Sequence, residues 1–144
     1  MKCVLYISKA LKPFNTNDLS KLSTTSTINN QTKGITGYLY FDNNRFLQYM
    51  EGDETTINEM VDKISHDKRH ELLSLIEKQN LTDRRFPDWG MKNIAELMFS
   101  NSTIETTIIQ TMSIFGENHL NISQSTQNDL FKLMDDLSET SQKV

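Results

Sequence analysis

The chain has 144 residues, 36% hydrophobic and 24% charged, with a formal net charge of −4 at pH 7; this suits one compact domain, and a second full one is not expected. Asn, Gln, Ser and Thr supply 48 residues, so the core must be economical, and the lack of a basic tract argues against direct nucleic-acid binding. The single cysteine, Cys3, excludes an intramolecular disulfide framework and a multi-cysteine zinc site, and no apolar run approaches the roughly 18 residues of a membrane span.

The N-terminus lacks the apolar stretch of a secretory signal, so a cytoplasmic location is expected. Charge divides unevenly along the chain. Residues 1–92 carry 13 Lys/Arg against 12 Asp/Glu, and residues 93–144 carry 2 against 7.

Cys3 to Ser8 is short and rich in β-formers and ends before the Lys12-Pro13 break, which predicts a first strand. Asn15 or Thr16 then caps a helix, with Asp18 near its positive end. Leu19, Leu22 and Ser26 share a face of it, but the Ser/Thr-rich run has mediocre helix propensity and must rely on packing. Gly37–Phe41 and Arg45–Met50 flank the turn-forming Asp42-Asn43-Asn44 and predict a hairpin. After Gly52-Asp53, the residues Ile57, Met60, Val61 and Ile64 follow helical spacing. Leu72–Lys78 predicts a fourth strand and Trp89–Ile94 a fifth.

The order strand, helix, strand, strand, helix, strand predicts an α+β, ferredoxin-like βαββαβ sheet, with an additional strand and both crossover helices on one face. The other face needs a cover. Residues 101–115, with Ile104, Ile108, Thr111 and Phe115 nearly in line, and residues 127–137, with Leu130, Phe131, Met134 and Leu137, are amphipathic enough to supply two C-terminal helices for it.

Alternation along strands places Tyr6 with Val4 and Ser8, and Gln48 with Phe46 and Met50. In the expected sheet the first and third strands are neighbours, so Tyr6 and Gln48 meet on the face toward the crossover helices. There a phenol and an amide are costly unless hydrogen-bonded, and a structural pair would account for them. Asn29-Asn30 is expected to follow the first helix, either reading a heterocycle's edge or forming a turn. His66 and His70 are four apart but have no evident third ligand, so no metal site is expected. Arg69 suits a phosphate clamp or simple charge compensation at a helix C-terminus. No P-loop, nucleophile elbow or dinucleotide-binding glycine motif occurs.

Several segments together resemble a known family. They are Tyr6-Ile7-Ser8; Asn29-Asn30 followed by Gly34-Ile35-Thr36-Gly37-Tyr38-Leu39; Arg45-Phe46-Leu47-Gln48-Tyr49-Met50-Glu51-Gly52; Asp67-Lys68-Arg69-His70; and Phe86-Pro87-Asp88-Trp89-Gly90-Met91. Their types and intervals resemble the blue-light-using-flavin domains, abbreviated BLUF, over residues 2–92. Asn44-Arg45-Phe46-Leu47-Gln48 also resembles the flavin motif of light-oxygen-voltage domains. That chemistry needs a cysteine before the arginine, where this chain has Asn44.

The BLUF resemblance implies a noncovalently held FAD between the two crossover helices and a sensor rather than an enzyme. By that resemblance Tyr6 donates an electron and then a proton, and Gln48 stands between the phenol and flavin N5/O4. Asn30 binds the ring's polar edge with Asn29 assisting, Leu22 and Ile64 sandwich the ring, and Arg69 and His70 lie near the phosphates. The lasting change is a rearranged Gln48 hydrogen-bond pattern with a small red shift. Trp89 and Met91 belong to a stretch implied to exchange places near Gln48.

Residues 1–92 are thus expected to be the FAD-binding sensor core, and 93–144 the end of the last strand with a helical cap that forms the output segment. With no recognisable effector sequence, the resemblance implies a short protein that forms homo-oligomers. It would signal by contact with a downstream protein such as a transcriptional or response regulator. An acylphosphatase-type ferredoxin-like enzyme and a cofactor-free interaction module are the competing readings.

Overall fold

The computed structural model describes residues 1–87 and 103–142. In chain order these form β1 (Lys2–Ala10), α1 (Thr16–Lys33), β2 (Thr36–Asp42), β3 (Arg45–Gly52), α2 (Glu54–Ser65), β4 (His70–Lys78), α3 (Thr103–Glu117) and α4 (Gln124–Gln142). The strands make one antiparallel sheet in the order β2-β3-β1-β4. With α1 and α2 as crossovers, this is the expected ferredoxin-like arrangement. The fifth strand expected at 89–94 lies outside the described residues.

β1 and β3 sit at the centre of the sheet, so both of their faces are covered. Val4, Tyr6, Phe46 and Met50 point toward α1 and α2, where Leu19 and Ile57 complete one core. Cys3, Leu5, Ile7, Leu47 and Tyr49 point the other way, into a second core closed by Ile108, Met112, Leu130, Met134 and Leu137 of α3 and α4. The C-terminal helices therefore cover the face that the crossovers leave bare. On α3 the buried stripe is Glu105, Ile108, Ile109 and Met112; of the expected Ile104, Ile108, Thr111 and Phe115, Ile108 is fully buried and Ile104 packs partly buried against the core. The stripe keeps helical spacing, but its first member is an acid. The Tyr38 hydroxyl donates to the buried Glu105 carboxylate at 3.4 Å.

α1 is longer than its composition predicts. Asn15 is its N-cap: the Asn15 side chain accepts from the Asp18 N–H at 2.8 Å, and the Asp18 carboxylate accepts from the Asn15 N–H at 3.1 Å. Such reciprocal bonds satisfy two N–H groups that a helix start otherwise leaves unpaired. At the other end Gly34, at φ 67°, closes the helix in a left-handed conformation that favours glycine. Two well-formed ends outweigh the weak propensity between them. Asn29 and Asn30 consequently lie in the C-terminal turns of α1, not in a loop after it as expected.

The β2–β3 hairpin turns on Asn43 and Asn44, both at positive φ (48° and 64°). A two-residue turn of this kind matches the twist of the strands, and asparagine accepts the conformation better than most residues. The Asn44 side chain also donates to the Ala10 carbonyl at 3.2 Å, fixing the hairpin against the end of β1.

Candidate functional site

Between α1 and α2, above β1 and β3, lies a cleft of about 380 Å³. Tyr6, Leu22, Asn29, Asn30, Gln48, Ile64, Arg69 and His70 all line it. Residues 64 positions apart in sequence are brought together because β1, β3 and the start of β4 are neighbours. Trp89 and Met91 lie outside the described residues.

Tyr6 and Gln48 form the floor. They are directly opposed in the β1–β3 register, and the Tyr6 hydroxyl donates to Gln48 Oε1. Both are buried. Burial pushes the Tyr6 phenol well above its ordinary pKa, and nearby Asp67 adds to the effect, so the hydroxyl keeps its proton across physiological pH. The walls are apolar: Leu22 comes from α1 and Ile64 from α2, both packed against the core beneath. Asn30 presents a buried amide, whereas Asn29 is exposed at the cleft's side.

At one end the Phe14 and Phe46 rings meet edge to face with centroids 5.2 Å apart. His70 is half-buried nearby, its ring centroid 6.4 Å from that of Tyr6, and burial lowers its pKa. Arg69 holds Asp67 through Nε at 3.0 Å and Nη2 at 2.6 Å. That pairing pulls the Asp67 carboxyl down to about 2. The cation expected near the phosphates thus already has a carboxylate partner.

Sequence reasoning missed the other cations lining the cleft, Lys12, Lys21 and Lys63. A signal for two of them was present: Lys21 immediately precedes Leu22 and Lys63 immediately precedes Ile64. Ser8 was also given no role. It lines the cleft, and its hydroxyl is buried with no hydrogen-bond partner in the protein. Apolar walls, a hydrogen-bonding floor and basic side chains suit a flat heteroaromatic ring with an anionic tail.

Among the described residues no three His, Cys, Asp or Glu side chains gather as metal ligands. His66 caps α2, and its Nδ1 lies 2.7 Å from the Asp62 carbonyl. Among the same residues no helix is long and apolar enough to cross a membrane.

Comparison with known proteins agrees with this geometry. A family model described as "BLUF: Sensors of blue-light using FAD" matches residues 1–92. The photoactivated adenylate cyclase subunit beta of Euglena gracilis is 30% identical over 95 residues, covering 65% of this chain and 11% of that protein. Subunit alpha from the same organism is 25% identical over 119 residues, covering 81% and 12%. The chain therefore spans about one tenth of the length of these curated relatives.

Among solved structures, BlrB, a BLUF protein in its dark state, is 26% identical with a TM-score of 0.62, covering 82% of this chain and 92% of that one. A bacterial light-regulated adenylyl cyclase is 28% identical with a TM-score of 0.64, covering 82% and 34%. The cleft and the match over residues 1–92 lead to one assignment: the chain belongs to the BLUF family, sensors of blue light that use a flavin.

Proposed function

We propose that this protein is a blue-light photoreceptor that binds FAD noncovalently in the α1–α2 cleft and signals through protein contact. The observation that carries the reading is the buried hydrogen bond from Tyr6 to Gln48 Oε1 on the cleft floor. With its oxygen engaged by the phenol, the Gln48 amide has its NH₂ end as a donor, complementary to the acceptors N5 and O4 on a flavin's edge. A cleft of about 380 Å³ falls within the ordinary range for a bound small molecule. The unpartnered Ser8 hydroxyl adds a polar group on the same floor. The residues present therefore fit a flavin. Leu22 and Ile64 would hold the ring, the Asn30 amide its polar edge, and Asn29 would assist; Lys12, Lys21, Lys63, Arg69 and His70 would face the phosphates.

Bound flavin supplies blue-light absorption and, once excited, a strong oxidant beside the phenol. Tyr6, which holds its proton in the dark, would give an electron and then that proton, and both would return, so that no net redox change would remain. Gln48 keeps the record, by rotating its amide or changing tautomer, in new hydrogen bonds. One such bond is worth only about 0.5–1.5 kcal/mol net. The output must therefore be a nearly balanced element, and we assign it to the segment containing Trp89 and Met91 with the cap over residues 93–144.

The partner in this reading is a downstream protein such as a transcriptional or response regulator, reached from a homo-oligomer in the cytoplasm. The family match weighs against an acylphosphatase-type enzyme.

The test is a dark-minus-light absorption spectrum of the purified chain after titration with FAD and, separately, FMN. A yellow complex with a reversible red shift, tighter with FAD, is the expected result. A chain that takes up neither flavin would overturn the proposal.

A further inference from the structure

We propose that Ser8 is a further hydrogen-bonding residue of the cleft, its hydroxyl serving the bound flavin directly beside Tyr6; this rests on the flavin reading above. Ser8 is 0% exposed, lines the cleft and has no hydrogen-bond partner for its Oγ in the protein. Ser113 Oγ shares that condition, but it lies on α3, away from the cleft. Strand alternation puts Ser8 on the Tyr6 face, about 7 Å further along β1.

Its cross-strand neighbours are Phe46 on β3 and Leu72 on β4, and neither side chain can accept or donate a hydrogen bond. The register of β1 against β4 shifts between Ile7 and Ser8. The extra residue of this bulge is Leu73 on β4, so β1 keeps its regular alternation through Ser8. A buried hydroxyl flanked by two apolar side chains is unfavourable unless something polar meets it, and alanine would fill the same position without that cost. The direction open to Ser8 is the cleft, and a flavin ring offers nitrogen and oxygen acceptors there.

The two states then predict opposite signs for one substitution. In Ser8→Ala without flavin, an unpaired buried hydroxyl disappears, so the apoprotein melts at or above the wild-type temperature. With FAD, a hydrogen bond is lost and affinity falls about 2- to 10-fold, so the rise in Tm on loading shrinks. The dark-state absorption maximum of the bound flavin also moves, which a purely structural serine would not cause. Ser8→Cys keeps the bulk with a weaker donor and falls between the two, providing the same readouts should the alanine variant fold poorly.

Equal FAD affinity and an unmoved dark-state maximum in both variants would overturn the role of Ser8 alone. Wild-type protein that takes up no flavin would overturn the underlying reading with it.

Discussion

Tyr6 and Gln48 face each other across β1 and β3, joined by a hydrogen bond in which the phenol donates and the amide oxygen accepts. Tyr6→Phe removes the electron and proton donor while keeping the ring that packs the floor. It leaves the Gln48 oxygen without that donor, at a cost of about 1–3 kcal/mol. The variant should still fold and hold flavin, yet lose the reversible red shift in a dark-minus-light spectrum. A red shift that survives would remove Tyr6 from the photochemistry.

His70 makes the pH dependence of stability specific. Burial lowers its folded pKa below the ordinary 6.5, with Asp67 opposing the shift. As pH falls through 6.5 the unfolded chain takes up this proton first, so His70 lowers folded-state stability from about pH 6.5 downward and has no such effect above it. His70→Gln should flatten the decline of apoprotein Tm between pH 7 and 5. An unchanged slope would place the acid sensitivity elsewhere.

Local pattern made part of this fold and site legible in the sequence, and tertiary packing decided the rest. Tyr6 and Gln48 could be paired because strand alternation and the βαββαβ order fix both face and neighbour. Helical spacing put Leu22 and Ile64 on the inward faces of their helices, whereas their place beside a ring came only from the family resemblance. The end of α1 was less legible: a run of Ser, Thr and Asn speaks against helix, and only the bonded cap at Asn15 and the left-handed Gly34 outweigh it. The face of Ser8 was legible from alternation along β1, but the lack of a partner for its buried hydroxyl is a tertiary outcome that no local pattern announces. The Asp67–Arg69 pair and the buried Glu105 are tertiary outcomes, since charged residues in sequence read as solvated surface. Trp89 and Met91, expected near Gln48, lie outside the described residues.

Glu51 shows how a strand acid can organise a loop. It is 0% exposed and accepts from the Arg85 and Phe86 N–H groups at 2.8 Å each. It also accepts from the Tyr49 hydroxyl at 3.1 Å and the Thr36 hydroxyl at 3.0 Å. Glu51→Ala strips an acceptor from all four buried or half-buried donors, for a loss of about 3–5 kcal/mol. Glu51→Gln retains one acceptor oxygen and should lose less. Urea unfolding of the three proteins gives the order, and an alanine variant within about 1 kcal/mol of wild type would show that water replaces the carboxylate.

Gly116 sets how closely the cap approaches the sheet. A Cβ added there would lie 2.3 Å from the Leu73 carbonyl oxygen of β4, a backbone atom that cannot swing aside. Glycine to alanine in a helix ordinarily gains up to about 1 kcal/mol, so propensity alone favours Gly116→Ala. The clash must instead lift the end of α3 from β4, and overpacking of this kind costs about 1–3 kcal/mol. Net destabilisation is expected in urea, with faster amide exchange in α3 than in β1. Leu73 lies at the register shift beside Ser8, so displacement of β4 should also alter the dark-state flavin spectrum. Lost stability with an unaltered spectrum would mean that the cap and the cleft floor move independently.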